Sequence, residues 1–191
     1  MQRLISAFDI SRLDYCNSTL AGLPVCALES LQCVLHATVR LVAGLGTRDH
    51  LRESVKDLHW LPMAHRIKFK LCILMHGAIF GQSPSYIRYL LVPVSEMQGR
   101  TSLRSAAGLY DVPFTRTQFG RHVFSVAAPS KWNSPPVSTR QIPDIRQFER
   151  ALKTHYFTEA FSNTVFNQTL FFYYFAFNCM FLVKRRRSVG V

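Results

Sequence analysis

Two apolar stripes at helical spacing, each bracketed by helix-stopping residues, constrain this 191-residue chain more than any other feature. Leu28, Leu31, Leu35, Val39 and Val42 recur three or four residues apart, and Gly44 follows them. Pro62 precedes Ile67, Leu71, Leu74, Ala78 and Ile79, and Gly81 follows those. Such a period puts each set on one side of a 3.6-residue turn, not on the alternating faces of a strand. A glycine just past the last turn supplies the left-handed residue that ends a helix. A proline at its start loses nothing, because the N–H there is unpaired in any case. Stripes of this kind are buried by packing helix on helix. The expected fold class is therefore mainly α: a helical bundle, then an irregular arginine-rich segment, a further helix and an apolar aromatic tail.

The rest of the chain fits around these two stripes. Leu4, Phe8, Leu13 and Leu20 suggest a helix over residues 3–20, stopped by Gly22 and Pro24. A short helical piece is expected over 48–59, with Trp60 in or near the core where it joins Pro62. Another is expected from Ser83, as N-cap, to Leu91. Character changes after Pro93. From residue 97 to 140 the basic residues are Arg100, Arg104, Arg116, Arg121, Lys131 and Arg140, and the only acid is Asp111. Frequent Pro, Gly and Ser predict irregular backbone there, with short extended pieces near 109–115. Phe114, Phe119, Phe124 and Trp132 are expected to pack inward and the arginines to face outward. Ile145, Phe148, Leu152 and Tyr156 predict a last helix over 143–161, with Arg146, Arg150 and Lys153 on its other faces. This divides the chain into a helical region 1–92, a basic irregular segment 93–142, a C-terminal helix 143–162 and an apolar tail 163–191.

The tail differs in kind from what precedes it. Residues 165–183 are rich in Phe and Tyr, and Lys184, Arg185, Arg186 and Arg187 follow. As a helix, that stretch would span about 28 Å, close to a bilayer core. Asn167, Gln168, Thr169 and Asn178 interrupt its apolar character. The preferred reading is an appended aromatic run that favours aggregation. Membrane association through 165–183 is the alternative. Nuclear or cytoplasmic localisation is favoured, and the four basic residues also fit an import signal.

Charge indicates a partner class. A formal charge of +12 and a pI near 10.0 suit a polyanion, nucleic acid ahead of a membrane surface. Arg100, Arg104, Arg116, Arg121, Lys131 and Arg140 are the candidate contacts, because a guanidinium fork gives a phosphate two hydrogen bonds as well as charge. Such contacts carry no base sequence, so RNA or DNA would be bound non-specifically. Arg66, Lys68 and Lys70 read as a solvated rim before a phosphate clamp. The five cysteines form no Cys-x-x-Cys pair and the seven histidines no His-x-x-x-His pair. Gly44-Leu-Gly46 lacks the third glycine and the lysine of a phosphate loop, and there is no Gly-x-Ser-x-Gly elbow. No cofactor, metal site or small-molecule substrate is expected.

Four short blocks stand in a fixed order: Ser11-Arg-Leu-Asp-Tyr-Cys-Asn-Ser-Thr-Leu-Ala-Gly-Leu-Pro24, Asp57-Leu-His-Trp-Leu-Pro62, Pro84-Ser-Tyr86 and Phe124-Ser-Val-Ala-Ala-Pro-Ser-Lys-Trp-Asn133. In content and order they resemble the region that follows the catalytic palm in LINE-type (non-LTR, jockey-like) retrotransposon reverse transcriptases. The resemblance runs from about Ile5 to Phe161. It implies a thumb-like helical region that grips nucleic acid, followed by a carboxyl-terminal segment. The family is an RNA-directed DNA polymerase whose paired palm aspartates hold divalent metals. Asp9, Asp14, Asp49, Asp57, Asp111 and Asp144 stand apart, so that pair is absent from this chain and no catalytic residue carries over. Asp14 reads as a solvated or capping carboxylate. The resemblance thus implies a truncated fragment, inactive alone, with non-specific nucleic-acid contact. A helical protein-interaction module and a translated relic without function are the alternatives. Pro135-Pro136 departs from the family's usual Asn-Ser-Leu-Pro, and Cys33 and His36 replace the usual polar residues.

Overall fold

A computed structural model describes residues 2–97 and 108–162. It divides into two units, Met1–Phe157 and Thr158–Val191. Of the second unit only the end of the last helix is described, so the apolar stretch 165–183 lies outside the described residues. The fold is mainly α, as the stripes predict. Among the described residues the only β pairing is a single antiparallel bridge between Pro93 and Tyr110.

The helices are α1 (Gln2–Ile5), α2 (Ser11–Asp14), α3 (Val25–Ala43), α4 (Leu51–Asp57), α5 (Met63–Ile79), α6 (Ser85–Arg88), α7 (Phe124–Trp132), α8 (Val137–Arg140) and α9 (Ile145–Ser162). A π-helical turn, Ser6–Ile10, links α1 to α2. Gly44 ends α3 with φ +65, the left-handed stop its position predicts. The first helix stops earlier than expected, because Cys16 takes φ 52 and a separate 3₁₀ turn, Asn17–Leu20, follows. His59, also left-handed at φ 54, closes α4. Pro62 is the N-cap of α5, and the side chain of Gln32 accepts the Met63 N–H at 2.9 Å. The start of α5 is therefore capped by α3 and not by its own neighbours.

α5 is the central element. Ile67, Leu71, Cys72, Met75 and Ala78 are buried along it, in one core with Leu61, Leu91, Ala127, Ala128, Trp132, Phe148, Leu152 and Tyr156, and the buried His76 stacks on Phe148. A smaller cluster of Leu13, Leu35 and Met63 takes up the half-buried Trp60. Residues from the first three expected regions thus share one core in the first unit. α7 falls where frequent Pro, Gly and Ser predicted irregular backbone, and Pro129 lies inside it. Proline removes one helical hydrogen bond, but burial of Ala127, Ala128, Pro129 and Trp132 offsets that loss. Alanine has nothing beyond Cβ, so α7 lies close enough to α5 for Cys72 Sγ to reach the Lys131 carbonyl at 3.5 Å. Ser83 does not cap α6; Pro84 occupies that position without a side-chain bond.

Packing leaves one apolar face open. Cys26, Ala27, Cys33, Val34, Ala37 and Leu41 form an exposed stripe on α3, opposite the buried Leu35 and Val39. Among the described residues, Cys26–Ala43 is the one helix long and apolar enough to cross a membrane. Its inner face already contributes Leu35 to the smaller core cluster.

Candidate nucleic-acid interface

Where the segment expected to carry nucleic-acid contacts begins, residues 92–94 pair with residues 109–111. The Val94 N–H donates to the Leu109 carbonyl (3.0 Å) and the Asp111 N–H to the Val92 carbonyl (2.8 Å). Asn133 reinforces this join from the end of α7. Its Oδ1 accepts the Tyr110 N–H at 3.1 Å and its Nδ2 donates to the Tyr110 carbonyl at 2.8 Å, so one amide side chain acts as a strand neighbour. Trp132 Nε1 and Arg140 Nη1 both donate to the Gly108 carbonyl, at 3.1 and 2.7 Å. The fourth block, ending in Trp132-Asn133, is therefore a clasp that holds the chain as it returns at Gly108–Tyr110.

The six basic candidates meet different fates. Arg100 and Arg104 lie outside the described residues. Arg116 and Arg121 are exposed, beside or within the 3₁₀ turn Phe119–His122. Lys131 is half-buried in the last turn of α7. Arg140 is buried, with Nε bonded to the Pro135 carbonyl at 3.1 Å as well as Nη1 to Gly108. Burial lowers its pKa, and two of its five donors go to backbone carbonyls. Arg140 holds the fold together and offers little to a phosphate. Nor do the aromatics all turn inward: Trp132 is 2% exposed, but Phe114 and Phe119 are 88% and 82% exposed. Irregular backbone gave no period from which to assign their direction.

Two readings of charged side chains need correction. Asp14 is not merely solvated: it accepts from Nε of Arg66 at 2.8 Å and from Nη2, and also from Asn17 Nδ2 at 3.2 Å. Arg66 is accordingly not a free rim cation. Lys68 lies over the ring of Tyr156, 5.8 Å from its centroid.

One organised basic surface went unrecognised. Arg146, Arg150 and Lys153 are all exposed on α9. Spacings of four and three residues bring them within about 60° of one another around a helix of 3.6 residues per turn. The opposite side carries Phe148, Leu152 and Tyr156, all 0% exposed. Phe148 stacks on His76 with ring centroids 4.4 Å apart and meets Trp132 at 5.6 Å. The Asp144 side chain caps the helix by accepting the Gln147 N–H at 2.9 Å. The residues were visible in the sequence, but only their common spacing could have grouped them.

Among the described residues no group of three or more His, Cys, Asp and Glu is placed to hold a metal ion. Comparison with protein-family models, with curated proteins and with solved structures finds no match.

Proposed function

We propose that this chain derives from the thumb and carboxyl-terminal part of a LINE-type retrotransposon reverse transcriptase. In this reading it contacts nucleic acid through phosphates, and these residues carry no polymerase chemistry of their own. One observation carries the reading: the blocks that resemble the family act as turns and anchors of one helical domain. The first supplies Asp14 for the pair with Arg66 and the Gly22 turn, whose φ of +80 and closeness to the Arg121 carbonyl would strain and crowd any side chain. The second stops α4 at His59 and starts α5 at Pro62. The third opens α6, and the fourth forms α7 and the clasp on Tyr110. Motifs that serve architecture suit a part of a polymerase whose chemistry lies elsewhere. A net charge of +12 suits contact with phosphates.

The test is direct. Purified chain with a primed template and magnesium or manganese gives no extension above a blank. In fluorescence anisotropy it binds unrelated duplexes with similar affinity, falling steeply with salt. Extension that survives repurification, or failure to bind any nucleic acid at low salt, overturns the proposal.

A second reading, a protein-interaction module, is favoured by the open stripe on α3, where Val34 is 48% and Leu41 65% exposed. Self-association that V34D/L41D abolishes, measured by sedimentation, would support it.

A further inference from the structure

The nucleic-acid reading leaves open which surface makes the contact, and the inference here rests on that reading. We propose that the outer face of α9, through Arg146, Arg150 and Lys153, is the duplex-binding surface, gripping successive phosphates of one backbone.

Three observations converge on this face. The first is alignment: the three cations share one side of the helix and span about 10 Å along its axis, at 1.5 Å per residue. Arg146 and Arg150 stand about 6 Å apart along the axis, far enough to reach separate phosphates. The second is rigidity. The inner face is sealed by Phe148, Leu152 and Tyr156, and Tyr156 OH lies 3.3 Å from Cys72 Sγ. A helix fixed by its aromatic face holds its outer cations in register, so less ordering entropy is lost on binding. The third is availability. Asp144 caps the helix, exposed polar Gln147 and Thr154 flank the stripe on one side, and the half-buried Glu149 is the one acid beside it on the other. The other candidate cations lack this arrangement. Arg140 is committed to carbonyls, Arg66 to Asp14, and Arg116 and Arg121 stand on turns outside any regular helix. A straight row of cations suits a regular polyphosphate such as duplex backbone better than an anionic lipid surface, which would also draw on flanking apolar residues.

The experiment measures binding of a labelled 20-base-pair duplex to the full chain by anisotropy between 50 and 200 mM salt. It compares wild type with R146Q/R150Q/K153Q, R116Q/R121Q and the charge-keeping R146K/R150K. The α9 glutamine variant is expected to lower the slope of log affinity against log salt by up to about 2.7, at about 0.9 per lost phosphate contact. R116Q/R121Q should lower it less, and the lysine variant should keep most of the wild-type slope. Circular dichroism confirms that each variant retains its helical content. A glutamine variant that loses helix is replaced by single R146Q, R150Q and K153Q, each expected to lower the slope by about 0.9. Duplex binding with an unchanged slope in the α9 glutamine variants overturns this inference and leaves the nucleic-acid reading standing. No duplex binding by wild type overturns both. If the α9 variants lose affinity for phosphatidylserine vesicles but not for duplex, the surface is a membrane contact and the inference fails.

Discussion

Asp14 and Arg66, 52 residues apart in sequence, meet as a two-pronged ion pair that ties the end of α2 to the first turns of α5. Arg66 is the more enclosed partner, with its side chain 12% exposed against 41% for Asp14. Removing the carboxylate would leave an enclosed guanidinium without its acceptor, whereas removing both partners would leave neither group stranded. D14N is therefore expected to cost about 1–2 kcal/mol, lowering the melting temperature by several degrees. The double variant D14N/R66M is expected to lose less than the sum of the single losses. Additive losses in a thermal-melt cycle would mean that the pair contributes no coupling.

The two tryptophans differ in depth and should differ in cost. Trp132 is buried against Phe148, so Trp132→Ala is expected to cost about 3–5 kcal/mol. Trp60 is half-buried, and Trp60→Ala should cost roughly 1–3 kcal/mol. Asn133→Ala removes both bonds to Tyr110 and should speed hydrogen exchange at the Asp111 and Val94 amides more than elsewhere. Uniform exchange changes across the domain would show that the clasp is not a local anchor.

His36 makes stability sensitive to acid. Gln32 caps α5 through its oxygen and directs its Nε2 at Nε2 of His36, 2.7 Å away, an arrangement that needs an unprotonated ring nitrogen. Burial, and then the nearby Arg40, lower the His36 pKa below its ordinary 6.5. The unfolded chain therefore takes up this proton first, and stability falls as pH drops below 6.5 towards the folded-state value. His36→Gln should flatten the loss between pH 7 and 5 in urea titrations relative to wild type. An equally steep loss in the variant would assign the acid limb to other groups.

Cys72 acts at the opposite end of the scale. Burial is the main cause that raises its thiol from an ordinary 9.0 to about 11, against smaller opposing effects of the Tyr156 hydroxyl, Lys131 and Lys68. A raised folded-state value means that the contribution is full below pH 9 and is lost as pH rises towards 11, on the order of 2 kcal/mol. Cys72→Ala should remove that part of the alkaline slope. Native labelling at pH 8 followed by peptide mass spectrometry should find Cys16, Cys26 and Cys33 alkylated, since they are exposed, and Cys72 protected until the chain unfolds.

Sequence alone determined the helices that carry their own signals. α3 and α5 follow from apolar periodicity and from Gly44, Pro62 and Gly81, because a 3.6-residue pattern and a stop residue are local properties. α9 follows in the same way from Ile145, Phe148, Leu152 and Tyr156. The stripe of Arg146, Arg150 and Lys153 was equally local, yet it gains meaning only once the opposite face is known to be buried. Tertiary structure decided the rest. α7 forms despite Pro129 because packing of Ala127, Ala128 and Trp132 against α5 outweighs a poor local preference. The partners of Asp14, Gln32, Asn133 and Arg140 depend on how distant segments meet, and no local pattern encodes such a meeting. Arg140 and Arg116 look alike as letters in an arginine-rich segment. One is buried against the Gly108 carbonyl and the other faces solvent, because only the packed chain brings a carbonyl to the first.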